Sequence, residues 1–229
     1  MTTVLLIRHG RSTANTAGVL AGRTSGVDLD ERGQAQAVEL AARLMPVHLD
    51  AVVSSPLERT RQTAERVLAG RDETLFEVDE SFNECDYGTW SGRTLSSLAE
   101  EPLWRTVQAH ASAAHFPDGE SLAALSARAV AAVRTWNAKL GEQATYAVVS
   151  HGDVIKAIAA DALGLHLDLF QRINVDPCSL TVIRYHGTRP TMLRLNDTGG
   201  DVSALIRKQE PAAEAGEAGD APVGGGAGA

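Results

Sequence analysis

The stretch Val4–Asn15, VLLIRHGRSTAN, runs four apolar residues straight into an arginine, a histidine and a glycine. An aliphatic run with no polar alternation is how a strand covered on both faces reads. Arg8 and His9 therefore stand at the carboxyl end of a buried strand, an unusual place for two groups that prefer water. Tyr146–Ile158, YAVVSHGDVIKAI, repeats the pattern with His151 and Gly152. Two strands that each end in His-Gly predict two imidazoles meeting at one place.

Working outward, strand-type and helix-type segments alternate. Residues 11–29 are rich in Gly, Ser, Thr and Asn and read as a long loop, a length usually tied to function or disorder. Asp30 caps a helix whose Ala37, Leu40, Ala41 and Leu44 share one face, and Pro46 ends it. Residues 50–55, DAVVSS, form a second buried strand. Ser55 is expected to cap the following helix, with Pro56 at its first position. Residues 74–79 are a third strand, while Gly88, Gly92 and Pro102 break the pattern over 80–118 into short helical pieces. Gly119-Glu120-Ser121 opens an alanine-rich helix to about Leu140. Residues 145–150 are a fourth strand, and the helix after it stops at Gly164. Two late strands flank a turn at His186–Pro190. This alternation predicts an α/β sandwich with a largely parallel central sheet.

The chain has 229 residues, 44% hydrophobic and 22% charged, which suits one globular domain with a core of its own. From Gln209 onward it lacks aromatic residues and almost all large apolar ones, so ordering entropy has nothing to offset it. The expected division is a single domain over 1–208 and a disordered Ala/Gly/Glu-rich tail over 209–229. The formal charge is −8, and Glu210, Glu214, Glu217 and Asp220 of the tail carry much of it. A mildly acidic body without a basic stripe argues against nucleic-acid binding. Apolar runs fall far short of the roughly 18–20 residues that span a bilayer, so no membrane partner is expected. No secretory segment is recognisable at the N-terminus, and Cys85 and Cys178 read as reduced, buried thiols, so the expected location is cytoplasmic.

In α/β sheets, ligands bind outside the carboxyl ends of the strands. Four clusters fall there: Arg8-His9-Gly10, Ser55 with Arg59, Glu84, and His151-Gly152. Two arginines, two histidines and a carboxylate in one crevice suit phosphoryl transfer. Guanidinium forks match the oxygens of a phosphate monoester. A neutral imidazole can attack phosphorus and carry the phosphoryl group, provided a backbone carbonyl holds its other ring nitrogen. His151 can carry positive charge toward the transferring oxygens. Glu84 can protonate the leaving oxygen if its pKa is raised. The cations make a metal unnecessary, and the remaining histidines lack metal-ligand spacing.

Four blocks in order, RHGRSTAN, SSPLERTRQTA, NECDYGTWSG and SHGD, resemble the histidine phosphatase superfamily, the phosphoglycerate mutase-like group, over roughly residues 3–195. The resemblance implies a three-layer α/β/α sandwich. It implies His9 as the phosphorylated nucleophile, Arg8, Arg59 and His151 with Gly152 as the phosphate pocket, and Glu84 as proton donor. Asn15 matches an asparagine near the phosphate, and Gly22-Arg23 matches a loop motif at the substrate. Glu120 and Ser121 match a segment near the substrate mouth, where Trp104 and Phe116 would form an apolar wall. Arg11 departs from the commoner Glu or Gln, Asp28 from a common proline, and Ser91 from the Glu of Trp-Glu-Gly; no catalytic group is lost.

The expected activity is a metal-independent, cofactor-free phosphatase acting on a small-molecule phosphate monoester through phosphohistidine at His9. One alternative is a cofactor-dependent phosphoglycerate mutase, for which 2,3-bisphosphoglycerate would be the primer. Residues 93–118 carry only Arg93 and Arg105 as fixed positive charges, against the longer basic insertion of such mutases. A non-catalytic phosphate-binding protein is the other. The resemblance is also compatible with a homodimer, paired through the late strands.

Overall fold

A computed structural model of the chain describes residues 1–187 and 189–199. Its six strands are β1 (Thr2–Arg8), β2 (Ala51–Ser54), β3 (Leu75–Val78), β4 (Thr145–Ser150), β5 (Leu180–Tyr185) and β6 (Pro190–Asp197). They form one sheet in the order β3-β2-β4-β1-β5-β6. The first four run parallel, and β5 and β6 run antiparallel to their neighbours. The helices are α1 (Thr13–Thr16), α2 (Glu31–Leu44), α3 (Glu58–Leu68), α4 (Leu95–Leu98), α5 (Pro102–Ala109), α6 (Leu122–Leu140) and α7 (Gly152–Ala162).

The aliphatic strands are explained by cover on both faces. Leu5 and Ile7 of β1 join Val52, Ala147 and Val149 under α2 and α3, while Val4 and Leu6 join Val53, Tyr146 and Val148 under α6 and α7. Each such side chain contributes on the order of 1.5–3 kcal/mol by leaving water. The result is the three-layer α/β/α sandwich with a largely parallel sheet. Among the described residues no helix is long and apolar enough to cross a membrane. The expected domain end at 208 and the tail over 209–229 lie outside the described residues.

Two local expectations are corrected. Residues 11–29 are not loop throughout: Ser12 caps the one-turn helix α1, with Asn15 closing a reciprocal capping box. Nor does Ser55 cap α3. That helix starts at Glu58 after Leu57, with no side-chain cap. Ser55 precedes a proline, which disfavours helical backbone there. Its buried hydroxyl instead meets a ring nitrogen of His151 at 2.8 Å.

Strand order places the site. β2, β4 and β1 are neighbours, so their carboxyl ends open side by side. Arg8 pairs with Ser150 across β1 and β4, and the His9 amide continues the ladder to the Ser150 carbonyl at 3.0 Å.

Candidate active site

His9 and His151 meet edge to face, with ring centroids 5.3 Å apart. His9 Nδ1 lies 2.7 Å from the Gly10 carbonyl. A carbonyl only accepts, so Nδ1 carries the proton and Nε2 keeps its lone pair. The glycine is needed for this geometry. A Cβ on Gly10 would lie 2.6 Å from the Gly33 carbonyl, and its amide donates to Thr63 Oγ1 at 3.1 Å. Burial first, then the charges of Arg59 and Arg8, hold the His9 pKa well below its ordinary 6.5. The ring is neutral and nucleophilic at neutral pH.

Both pocket arginines are part-spent and part-free. Arg59, on the first turn of α3, donates from Nε to His9 Nε2 at 3.3 Å and from Nη2 to the Gly22 carbonyl at 2.8 Å. Arg8 donates from Nη1 to the Val175 carbonyl at 2.6 Å. Arg59 Nη1 and Arg8 Nε are buried with no hydrogen-bond partner. Buried cationic donors left unpaired are costly, and an anion is the group that would complete them.

His151 Nδ1 faces Arg59 Nη2 at 3.3 Å, and Nε2 faces Ser55 Oγ at 2.8 Å. Guanidinium only donates, so Nδ1 accepts and Nε2–H is held by the serine. Burial, followed by Arg59, pushes the His151 pKa well below 6.5. These surroundings favour the neutral ring, so the positive charge expected from sequence needs an anion beside it. A dianion on Arg8 and Arg59 reverses the local field and gives Nδ1 reason to take up a proton.

Glu84 lies in the stretch between β3 and the short helices. Its Oε1 accepts from the Cys85 amide at 2.9 Å, and its Oε2 is 3.8 Å from His151 Nδ1. Burial, then the charge of Asp153, raises its pKa from 4.5 to about 7. The shifts of Glu84 and His151 both favour uncharged forms, so their approach is not read as an ion pair. Asp153 is fixed by the Tyr87 hydroxyl, which donates to it at 2.8 Å, and by Lys156 Nζ at 3.4 Å.

These groups line a cavity of about 330 Å³. Beyond the histidines one wall is apolar, with Trp90, Trp104 and Phe116; Trp90 packs on Trp104 and Phe116 at centroid distances of 6.3 and 5.3 Å. Lys156, Gln171 and Asn174 add polar groups to the lining.

Arg8, His9, Asn15, Gly22, Arg59, Glu84 and Gly152 all line this cavity, and His151 touches its members from beneath. Asn15 accepts through Oδ1 from the Ser12 amide and hydroxyl, both at 3.0 Å, so only its amide nitrogen remains for a ligand. Arg23 is not on the cavity wall; it bonds the Glu84 carbonyl at 2.9 Å from behind. Glu120 and Ser121 are also off the wall, Glu120 pairing with Arg23 and Arg128 and Ser121 capping α6. Sequence reasoning missed Ser55 as a partner of His151, Tyr87 and the Val175 carbonyl. It also missed Arg128, whose signal was an arginine beside the buried Leu125 and Ala129 stripe of α6. Both cysteines are free and buried. Among the described residues no group of three or more His, Cys, Asp or Glu could hold a metal ion.

A family model described as the histidine phosphatase superfamily (branch 1) matches residues 4–198. Phosphoserine phosphatase 1 of Hydrogenobacter thermophilus is 34% identical over 206 residues, covering 86% of this chain and 93% of the relative. A chain of Erwinia tasmaniensis named "Probable phosphoglycerate mutase GpmB" is 30% identical over 209 residues, 90% of this chain and 95% of its own. The crystal structure of the alpha-ribazole phosphatase from Shigella flexneri superposes with a TM-score of 0.77 at 26% identity, over 91% of this chain and 100% of that one.

Proposed function

The chain is an enzyme of the histidine phosphatase superfamily, and we propose that it hydrolyses small phosphate monoesters through a phosphohistidine at His9, without a metal or organic cofactor. One observation carries this reading: two buried guanidinium nitrogens, Arg8 Nε and Arg59 Nη1, lack partners beside an imidazole whose Nε2 is kept unprotonated. A phosphoryl group placed there receives both donors and faces the lone pair in line.

The steps follow from the protonation states. His9 Nε2 forms a bond to phosphorus as the ester P–O bond breaks, and Glu84, protonated over much of the neutral range, gives its proton to the departing alkoxide. Arg8, Arg59 and the newly protonated His151 hold the equatorial oxygens. Water then attacks the phosphohistidine while the Glu84 carboxylate takes its proton, and phosphate leaves with His9 restored.

Water as acceptor is favoured over a second substrate by how the nearby cations are engaged. Arg93 does not line the cavity and is committed to Glu101 at 2.7 Å, and Lys156, which does line it, is shared with Asp153 and Gln171. A mutase needs a cationic grip on both substrate and returned product. The relatives' names point to phosphoserine and a nucleoside-type phosphate as classes to try first. The aromatic wall suits a leaving group with an apolar face.

The test is phosphate release from a panel of monoesters that includes phosphoserine and 3-phosphoglycerate, with a chelator present. Release is expected to survive chelation and to fall at least about 10⁴-fold in His9→Ala. A variant keeping a tenth of the activity would sink the nucleophile assignment. Failure of every ester, followed by turnover of 3-phosphoglycerate once a bisphosphoglycerate primer is added, would establish the mutase instead.

A further inference from the structure

Glu84 is the reacting group that no strand end delivers, yet it is held as firmly as the others. Its backbone carbonyl receives two guanidinium donors, Arg23 Nε at 2.9 Å and Arg128 Nη2 at 3.1 Å. Arg23 comes from the loop after α1, and Arg128 from the second turn of α6. Both guanidiniums converge on one carboxylate. Glu120 Oε1 is 3.0 Å from Arg23 Nη2 and 2.6 Å from Arg128 Nη2, and Glu120 Oε2 is 3.1 Å from Arg128 Nε.

Glu120 also grips the Glu84 segment directly. Its Oε1 accepts from the Asp86 amide at 3.0 Å, and its own amide donates to the Asp86 carbonyl at 2.8 Å. Arg128 Nη1 reaches the Ser81 carbonyl at 2.8 Å. The backbones approach closely at this point: a Cβ on Gly119 would lie 2.2 Å from the Asp86 carbonyl. Residues 81–86 are thus tied at their backbone by three side chains from two other segments. The two donors fill both lone pairs of that carbonyl oxygen, and the Glu120 carboxylate shared by the two guanidiniums offsets their repulsion. The Glu84 backbone is thereby held from two sides.

The loop end of this network reaches the phosphate pocket. The Gly22 carbonyl accepts from Arg59 Nη2 at 2.8 Å, and the next residue's side chain bonds Glu84. One dipeptide therefore touches the phosphate arginine through its backbone and the proton donor through its side chain.

We propose that Arg23, Glu120 and Arg128 are positioning residues that set Glu84 against the leaving oxygen, with Gly22-Arg23 registering the proton donor to the phosphate pocket. Glu84 Oε1 is already taken by the Cys85 amide, so the clamp decides where Oε2 points. The inference rests on Glu84 being the general acid.

The experiment is leaving-group dependence of kcat/KM, which covers the steps up to loss of the alcohol. Aryl monoesters with acidic phenols leave without a proton, whereas alkyl monoesters need one. Glu84→Gln serves as the reference and should lose activity on alkyl esters far more than on aryl esters. Arg23→Met, Glu120→Gln and Arg128→Lys are expected to lose about tenfold to a hundredfold on alkyl esters, through kcat, while staying within about threefold of wild type on aryl esters. Equal losses on both classes, or no loss, with Glu84→Gln still selective, would overturn the clamp alone. A Glu84→Gln variant that does not discriminate overturns the acid assignment and the clamp together. Should a variant of the two inner residues fail to fold, Arg23→Met decides, because that side chain is partly in solvent and its loss removes only its hydrogen bonds and its ion pairs to Glu120 and Asp86.

Discussion

The reacting side chains reach the crevice by two routes. Arg8, His9 and His151 arrive at or directly after the ends of β1 and β4, where the sheet register places them, and Arg59 arrives on the first turn of α3, just after β2. Glu84, Trp90, Trp104 and Phe116 arrive on the short helices and irregular chain between β3 and α6, fixed by side-chain contacts instead. On the proposed mechanism the first group meets what every monoester shares, a phosphoryl group, and the second meets what differs, the leaving alcohol. A rigid sheet edge suits the invariant part of the chemistry, and loops tied by side chains suit the part that specialises.

If that division holds, removing a sheet-edge cation should damage all substrates alike. Arg59→Met is expected to lower kcat/KM by about 10³-fold for every monoester, the scale of losing a fixed donor to transition-state charge. Arg59 also helps depress both histidines, so the same variant should raise the pKa of His9 and of His151, read by NMR titration. Loss confined to one ester class, or imidazoles that titrate unchanged, breaks the comparison.

The loop side should show a conflict between function and stability. Folding raises the Glu84 pKa from 4.5 to about 7, so between those values the folded state holds a proton that the unfolded chain has released. Stability is therefore lost as pH rises through that window, and the cost is fully present above about pH 7. Glu84→Gln keeps an oxygen for the Cys85 amide and removes the titration. It is expected to match wild type below pH 4.5 and to exceed it by on the order of 2–3 kcal/mol at pH 8, measured by denaturant unfolding. A variant no more stable than wild type at pH 8 would show that the loop carries no such strain. Activity of the wild type on alkyl esters should fall as pH rises through about 7, where the folded acid loses its proton.

The two routes also explain what the sequence made legible. Arg8, His9 and His151 were readable because each directly follows its aliphatic run, and parallel strands in an α/β sheet bring such ends together. The sheet order β2-β4-β1, which sets those ends side by side, is not legible in that alternation and comes from the structure. Glu84 is less directly legible, because it stands several residues past β3 and its neighbours Glu80 and Asp86, which do not line the cavity, offer the same carboxylate. Arg23 was taken for a substrate contact because its partners lie 61 and 97 residues away, at Glu84 and Glu120, and no local pattern announces them. Asn15 carried a motif, but half its amide serves α1. Ser55 was misread for a sharper reason. Ser-Pro before a helix is a strong local capping signal, and a tertiary partner 96 residues away outcompeted it.

Ser55 gives the smallest effect and separates the two readings of a single side chain. As a cap, its loss would destabilise α3 by about 1 kcal/mol and leave the chemistry alone. As the acceptor for His151 Nε2–H, its loss leaves a buried donor unpaired and frees the ring to turn. Ser55→Ala is then expected to lower kcat/KM about five- to tenfold, the equivalent of about 1–1.4 kcal/mol from one buried hydrogen bond. Alkyl and aryl esters should suffer equally, since His151 belongs to the phosphate side. Phosphate binding supplies the second readout. The neutral His151 should take up a proton when a dianion binds, so calorimetry in buffers of different ionisation enthalpy should detect proton uptake in wild type. In Ser55→Ala the protonated ring has lost one of its acceptors, and the uptake should shrink. A variant with normal rate and uptake but a lower melting temperature would return Ser55 to the helix and leave His151 oriented by Arg59 alone.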